Sequence, residues 1–251
     1  MMRSSSKASF SAFILTTFLM VILFHCGMPD SAHSSPAAER EGAQAFIDKG
    51  RQQIEKGEYG AAARLLGIAL RKDQTAPEAY LLRGIAYDRL GLTQNALKDL
   101  DRFIELKPSE PKGYLYRADV KNFNMQHKDA LSDYEMAIKL GPSSASAYMG
   151  RGLALAALGR YEEAIKDYLW VLRLEPHNQE VHANIGIACM LAGKRAQAVT
   201  YLEKALLDET NPQWRKQIQE WISRIMNEAE AVDSASRGPT RTPTRKPRPM
   251  W

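Results

Sequence analysis

A step of 34 residues brings this chain into register with itself five times, in units that begin at Ala43, Pro77, Pro111, Ala145 and Gln179. A period of this length excludes most single-core folds, because each unit has room for only one supersecondary element. Apolar residues recur at steps of three and four within every unit, which predicts two helices per unit. The eighth place reads Gly50, Gly84, Ala118, Gly152 and Gly186, and the twentieth reads Ala62, Ala96, Ala130, Ala164 and Ala198. Small residues at fixed places let two helices approach closely. Gly57, Gly91, Gly159 and Gly193 hold the fifteenth place, where a turn between helices needs a freely rotating backbone. Met125 stands there in the third unit, and a distorted turn is expected at that point. Pro108, Pro142 and Pro176 close the second helix, since proline lacks the N–H that would continue it.

The columns together resemble the tetratricopeptide repeat over residues 43–212. The resemblance implies an all-α fold, a right-handed α-solenoid of helix-turn-helix repeats at 43–76, 77–110, 111–144, 145–178 and 179–212. Trp214, Ile218, Trp221, Ile222 and Ile225 follow at helical spacing and predict a C-terminal capping helix at 213–232. The chain departs from the family pattern in lacking tryptophan at the fourth place, in placing Gln53 and Lys121 where a bulky residue is usual, and in having Gln74 where the first unit's closing proline belongs.

Arginine at the seventh place is unexpected on a core-facing stretch. Arg83, Arg117 and Arg151 occupy it in units two to four, and the same units carry Asp99, Asp133 and Asp167 at the twenty-third. Units one and five lack both, with Lys49 and Leu65, and Ile185 and Tyr201. Joint presence and joint absence predict structural ion pairs between first and second helices, within a unit or across a junction. The competing reading is a row of arginines lining an anion-binding groove.

The resemblance also implies that first helices line a concave surface. Its partner-binding groove would contain Leu81, Ile85, Arg89, Leu115, Asp119, Phe123, Met149, Leu153, Ile187 and Met190. The early half of that face is mixed and charged, and the later half is apolar and rich in methionine. An adaptable apolar surface suits a helix or extended peptide, unless the capping helix folds over it. Relatives that grip chaperone tails do so with lysine and asparagine at fixed places. Here those places hold Ile47, Arg51, Leu82, Leu115 and Asp119, so that clamp is missing.

The two ends read differently from the repeats. Residues 1–34 combine Arg3 and Lys7 with the apolar run Phe10–Phe24, which predicts a signal peptide or an N-terminal membrane anchor. Cys26 is a candidate lipidation site, although Phe24 and His25 are large for a lipoprotein motif. Residues 35–42 read as a linker. Residues 233–251 read as a disordered basic tail rich in proline and arginine, with Arg237, Arg241, Arg245, Lys246 and Arg248 and no acid after residue 233. Those five charges account for the whole formal charge of +5, so the repeats are balanced and show no basic groove.

No phosphate-binding loop, nucleophile elbow or zinc-protease motif is present. The histidines are scattered, and Glu162 and Glu163 open a helix, where carboxylates favour the positive end. The expectation is therefore a non-enzymatic scaffold with no catalytic residue, metal or cofactor, binding a protein or peptide and neither nucleic acid nor a small-molecule substrate. An exported protein of the periplasm or cell envelope, assembling a larger complex there, fits the N-terminus. The alternatives are a membrane-anchored adaptor whose basic tail meets anionic envelope polymer, and a non-catalytic subunit of an envelope enzyme.

Overall fold

The computed structural model describes residues 36–207 and 209–236. Among them there are eleven helices and no strand. The first unit contains α1 (Pro36–Glu55) and α2 (Tyr59–Lys72), and the second α3 (Pro77–Arg89) and α4 (Thr93–Leu106). The third contains α5 (Pro111–Phe123) and α6 (His127–Leu140), and the fourth α7 (Ala145–Ala157) and α8 (Tyr161–Leu174). The fifth contains α9 (Gln179–Leu191) and α10 (Arg195–Leu206), followed by α11 (Pro212–Ser236).

Local chemistry starts each first helix. Pro77 and Pro111 sit in the first turn of α3 and α5, where a missing N–H costs nothing. Ser144 Oγ accepts from the Ala147 N–H at 3.3 Å, and Asn178 Oδ1 from the Val181 N–H at 3.1 Å, to cap α7 and α9. At the end of α2, where no proline stands, Asp73 accepts from the Thr75 N–H at 2.8 Å and so turns the chain with its side chain.

The turn inside each hairpin is the same in all five units. Gly57, Gly91, Gly159 and Gly193 have φ of 76°, 72°, 75° and 74°, and Met125 has φ of 61°. The following N–H bonds back across the turn each time, as in Leu92 N–H to Tyr87 O at 2.8 Å and Gln126 N–H to Lys121 O at 2.9 Å. The expected distortion at Met125 is therefore absent. The neighbouring helices impose the left-handed backbone on an L-residue, at a cost of about 1–2 kcal/mol.

Every alanine of the twentieth place has no exposed surface. The eighth-place glycines face the largest core side chains. A Cβ on Gly152 would lie 2.5 Å from Tyr168 Cε1, and one on Gly50 would lie 2.7 Å from Leu66 Cγ. Leu66, Leu100, Tyr134, Tyr168 and Leu202, one per unit, are each at most 1% exposed. They form the spine of the core.

Helices pack in chain order, each against the next. The first helices α1, α3, α5 and α7 also touch one another in succession. Contact among first helices puts them on the inner side of the curve, as a stacked repeat requires. The final helix α11 runs antiparallel to α10: its Arg215 donates to Leu206 O at 2.9 Å, and Glu228 lies 4.0 Å from Arg195 at the start of α10. Ile218 and Ile225 seal the last core cluster.

Two boundaries differ from the sequence reading. Residues from Pro36 on, read as linker, form the opening turns of α1, with proline in the first turn and Ala37, Ala38 and Glu39 favouring helix. The cap reaches Ser236, because Glu228–Ala231 continue its helix-forming composition. Residues 1–35, with Cys26 and the apolar run, and residues 237–251 of the basic tail lie outside the described residues.

Candidate functional site: the inner face of the first helices

Leu81, expected in the groove, is instead a core residue at 9% exposure, packed with Leu100, Phe103 and Val120. The fifth place points into the junction with the next first helix, which is why Leu115 and Met149 are also half-buried there. The open inner face is built from the ninth, twelfth and thirteenth places. Ile85, Ile187 and Met190 are half-buried, Arg89 and Asp119 are exposed, and Leu153 is 40% exposed. Phe123 stands 84% exposed at the end of α5, beside Met125 at 78%. Leu191, at the same place of α9, is 53% exposed. The cap packs against α10 and leaves Leu153 and Leu191 uncovered, so the apolar later half of this face remains free among the described residues.

The early half carries a polar cluster that the sequence reading did not assemble. Tyr134 reaches from α6, almost wholly buried, and its hydroxyl donates to Asp119 Oδ1 at 2.7 Å. His127 Nδ1–H donates to Asn122 Oδ1 at 2.6 Å. Protein crowding around Asp119 removes much of its hydration, although one side of the carboxylate is open to the groove. This raises its pKa to about 6; the Tyr134 hydrogen bond works against the rise, and repulsion from Asp88 adds to it. Desolvation raises Asp88 as well. Neither carboxylate belongs to an ion pair among the described residues. The signal available in the sequence was the 34-residue register, which puts Asp88 and Asn122 at one place of successive units.

The three arginines do not line this face. Arg83 lies between α2 and α4, where a Cβ on Gly67 would come 3.8 Å from its Nη1. It binds Asp99 through Nε at 2.6 Å and Nη2 at 2.8 Å. Arg117 meets Asp133 at 2.9 and 2.6 Å, and Arg151 meets Asp167 at 2.8 and 2.7 Å, with the same fork. Each pair is internal to one unit. The carboxylates are 4–5% exposed, and the hydrogen bonds to them raise all three arginine pKa values, against the opposing effect of burial. Tyr80, Tyr114 and Tyr148 lie under the guanidinium groups at 5.8, 5.7 and 5.5 Å.

The third unit adds two contacts. Lys121, the departure from a bulky residue, donates to Asp133 Oδ2 at 2.7 Å, and Arg117 Nη1 crosses to Asp101 of the preceding unit at 2.7 Å. The arginines thus sit in clefts between second helices, neutralised by acids. Among the described residues no group of three or more histidine, cysteine or acidic side chains converges to hold a metal. No described helix is long and apolar enough to cross a membrane.

Profiles of the tetratricopeptide repeat match residues 145–178 and 47–111. A solved structure of a MamA protein superposes with a TM-score of 0.61 at 27% identity, covering 66% of this chain and 91% of that one. YrrB, described as a TPR protein with an unusual peptide-binding site, superposes with a TM-score of 0.60 at 20% identity, covering 70% and 90%, and speaks to fold alone. In sequence, the Hsp70-Hsp90 organizing protein 2 of Arabidopsis thaliana is 31% identical over 80 residues, which are 32% of this chain. The match spans only 14% of that relative's length.

Proposed function

Because the chain is built from tetratricopeptide repeats, we propose that it is a non-catalytic scaffold whose inner face binds a protein or peptide and helps assemble a larger complex at a cell envelope. Interaction with proteins is what this repeat architecture supports, and we extend it to the groove residues, the envelope and export. The observation that carries the binding site is the inner face itself. It keeps Phe123, Leu153 and Leu191 exposed at 84%, 40% and 53% while the cap packs elsewhere. Apolar surface left open on one side of a folded protein favours a partner that covers it. The apolar run and basic start of residues 1–34 support the envelope location.

Similarity to Hsp70-Hsp90 organizing proteins does not extend to a chaperone-tail clamp. Ile47 is 2% exposed, Leu82 is half-buried, and Arg51 is engaged by Asp48 and Glu78. Among the described residues, these places leave no free row of cations for a terminal carboxylate.

The test compares affinity capture by the wild-type chain with capture by Phe123→Ser and Leu153→Asp variants of matched thermal stability. A partner retained by the wild type and lost by both variants supports the groove. Capture that is indifferent to both substitutions moves the interface elsewhere. Fractionation with mass determination of the N-terminus checks the location, and a cytoplasmic chain starting at Met1 would overturn it.

A further inference from the structure

The strongest unassigned feature is the rim where first helices end. The turns of units two and three present four exposed apolar side chains, Leu90 at 43%, Leu92 at 45%, Phe123 at 84% and Met125 at 78%. Thr93 Oγ1 donates to Asn124 Oδ1 at 3.1 Å, so the two turns touch and the four residues form one shelf. On the groove side of this shelf lie Asp88 and Asp119, neither of them in an ion pair among the described residues, with Arg89 the neighbouring cation that acts on Asp88. Two carboxylates beside a single arginine, next to four exposed apolar side chains, favour an occupant that brings positive charge and apolar surface together.

The chain contains such a segment, and the helix that leads into it runs toward this rim. Arg195 begins α10 immediately after the Gly193 turn, and Glu228 of α11 lies beside it. Helix α11 continues to Ser236, past the level of the turns and on their side of the molecule. Residues 237–251 follow, with Arg237, Arg241, Arg245, Lys246, Arg248, Met250 and Trp251 and no acid. At roughly 3.3 Å per residue, this length spans up to about 50 Å. Counted by repeats, the cap stands three units beyond α5, about 30 Å at roughly 10 Å per unit.

Resting on the groove reading above, we infer that residues 237–251 fold back onto their own chain, setting basic side chains against Asp88 and Asp119 and covering Phe123 and Met125, so that a partner must displace them. A tether of this length gives an effective concentration in the millimolar range, enough to hold an otherwise weak contact closed. Anionic polymer or lipid would compete for the same charges, and so couple release of the groove to contact with such a surface.

Zero-length carbodiimide coupling of the full chain, followed by peptide mass analysis, tests the arrangement. The expected product joins Lys246 to Asp88 or Asp119 in the monomer fraction, disappears in Asp88→Asn/Asp119→Asn, and fades at high salt. Lys194–Glu162, 3.6 Å apart, is the internal control. Control coupling without any groove product overturns the inference, and a groove product confined to dimers overturns the intramolecular arrangement.

The second arm uses a labelled peptide of residues 237–251 as probe. It should bind a full chain carrying Arg241→Glu, Arg245→Glu, Lys246→Glu and Arg248→Glu about tenfold more tightly than the wild type, whose own tail competes. Equal affinity, or no binding to either chain, overturns the inference. The groove reading is judged separately, by partner capture with the Phe123 and Leu153 variants, so the two can fail independently.

Discussion

Units two to four and unit five solve the same packing problem with opposite chemistry. In the middle units the seventh and twenty-third places hold a forked arginine–aspartate pair buried on its acidic side. In unit five Ile185 is fully buried at the seventh place, and Tyr201 at the twenty-third stacks on His182 at 6.2 Å. The hairpin is built alike in both cases, with the same left-handed turn and the same fully buried alanine. Hairpin geometry therefore comes from the small-residue columns and the turn. The ion pairs fix which face of each first helix meets its second helix, and a well-packed apolar pair does the same.

The largest effect should come from removing one charge only. Arg151→Leu leaves the Asp167 carboxylate, 5% exposed, without its partner and should cost about 3–5 kcal/mol in denaturant unfolding. Arg151→Leu/Asp167→Leu should recover most of the loss by making unit four resemble unit five. Losses that simply add would show that the pair does not act as a pair. Arg117→Leu should cost less than Arg151→Leu, because Lys121 still reaches Asp133 at 2.7 Å.

Next in size is the small-residue column. Gly152→Ala sets a methyl 2.5 Å from the buried Tyr168 ring and should destabilise by about 1–3 kcal/mol. Gly84→Ala meets Leu100 at 3.1 Å. The gain in helix propensity, about 1 kcal/mol, should there offset the contact and leave stability nearly unchanged. Equal losses at both positions would mean that close approach does not set the column. Smaller again is Met125→Gly, which should stabilise by about 1 kcal/mol by relieving the left-handed backbone; Met125 is 78% exposed and surrenders little packing. A destabilised Met125→Gly chain would show that its side chain holds the shelf together.

Much of this was legible because a period repeats its evidence. The turn, the alanine column and the co-occurrence of Arg83, Arg117 and Arg151 with Asp99, Asp133 and Asp167 each appear several times in one sequence. What was illegible is what happens once. Met125 alone breaks the glycine column, and neighbouring helices decide that the turn survives. Lys121 reads as a missing bulky residue, yet its four-carbon stem carries the charge to Asp133. The tilt that sends Leu81 into the junction rather than the groove depends on how first helices of adjacent units meet, a property of two units that one unit's pattern does not contain. The contact between Tyr134 and Asp119 joins a spine residue to a groove residue, and nothing in either column marks it.

The groove carries its own comparison, between the apolar half near Leu153 and the polar half around Asp119. Asp119 pays for its position. Its folded pKa, about 6, is above the ordinary carboxylate value of 3.8, so the folded chain binds the proton more tightly than the unfolded chain. This contribution to stability is fully present below pH 3.8 and is lost as pH rises through 6. Asp119→Asn keeps an acceptor for the Tyr134 hydroxyl and removes the charge. It should be more stable than the wild type at pH 7.5, by less than about 1 kcal/mol since the open side of the carboxylate is screened by water. The advantage should shrink between pH 6 and 4 in parallel urea titrations. A difference that is constant with pH would place the crowding elsewhere. If Asp119→Asn is also the variant that weakens binding of a basic peptide, then stability has been given up at this position in exchange for recognition, whereas the apolar half near Leu153 gives up only exposed surface.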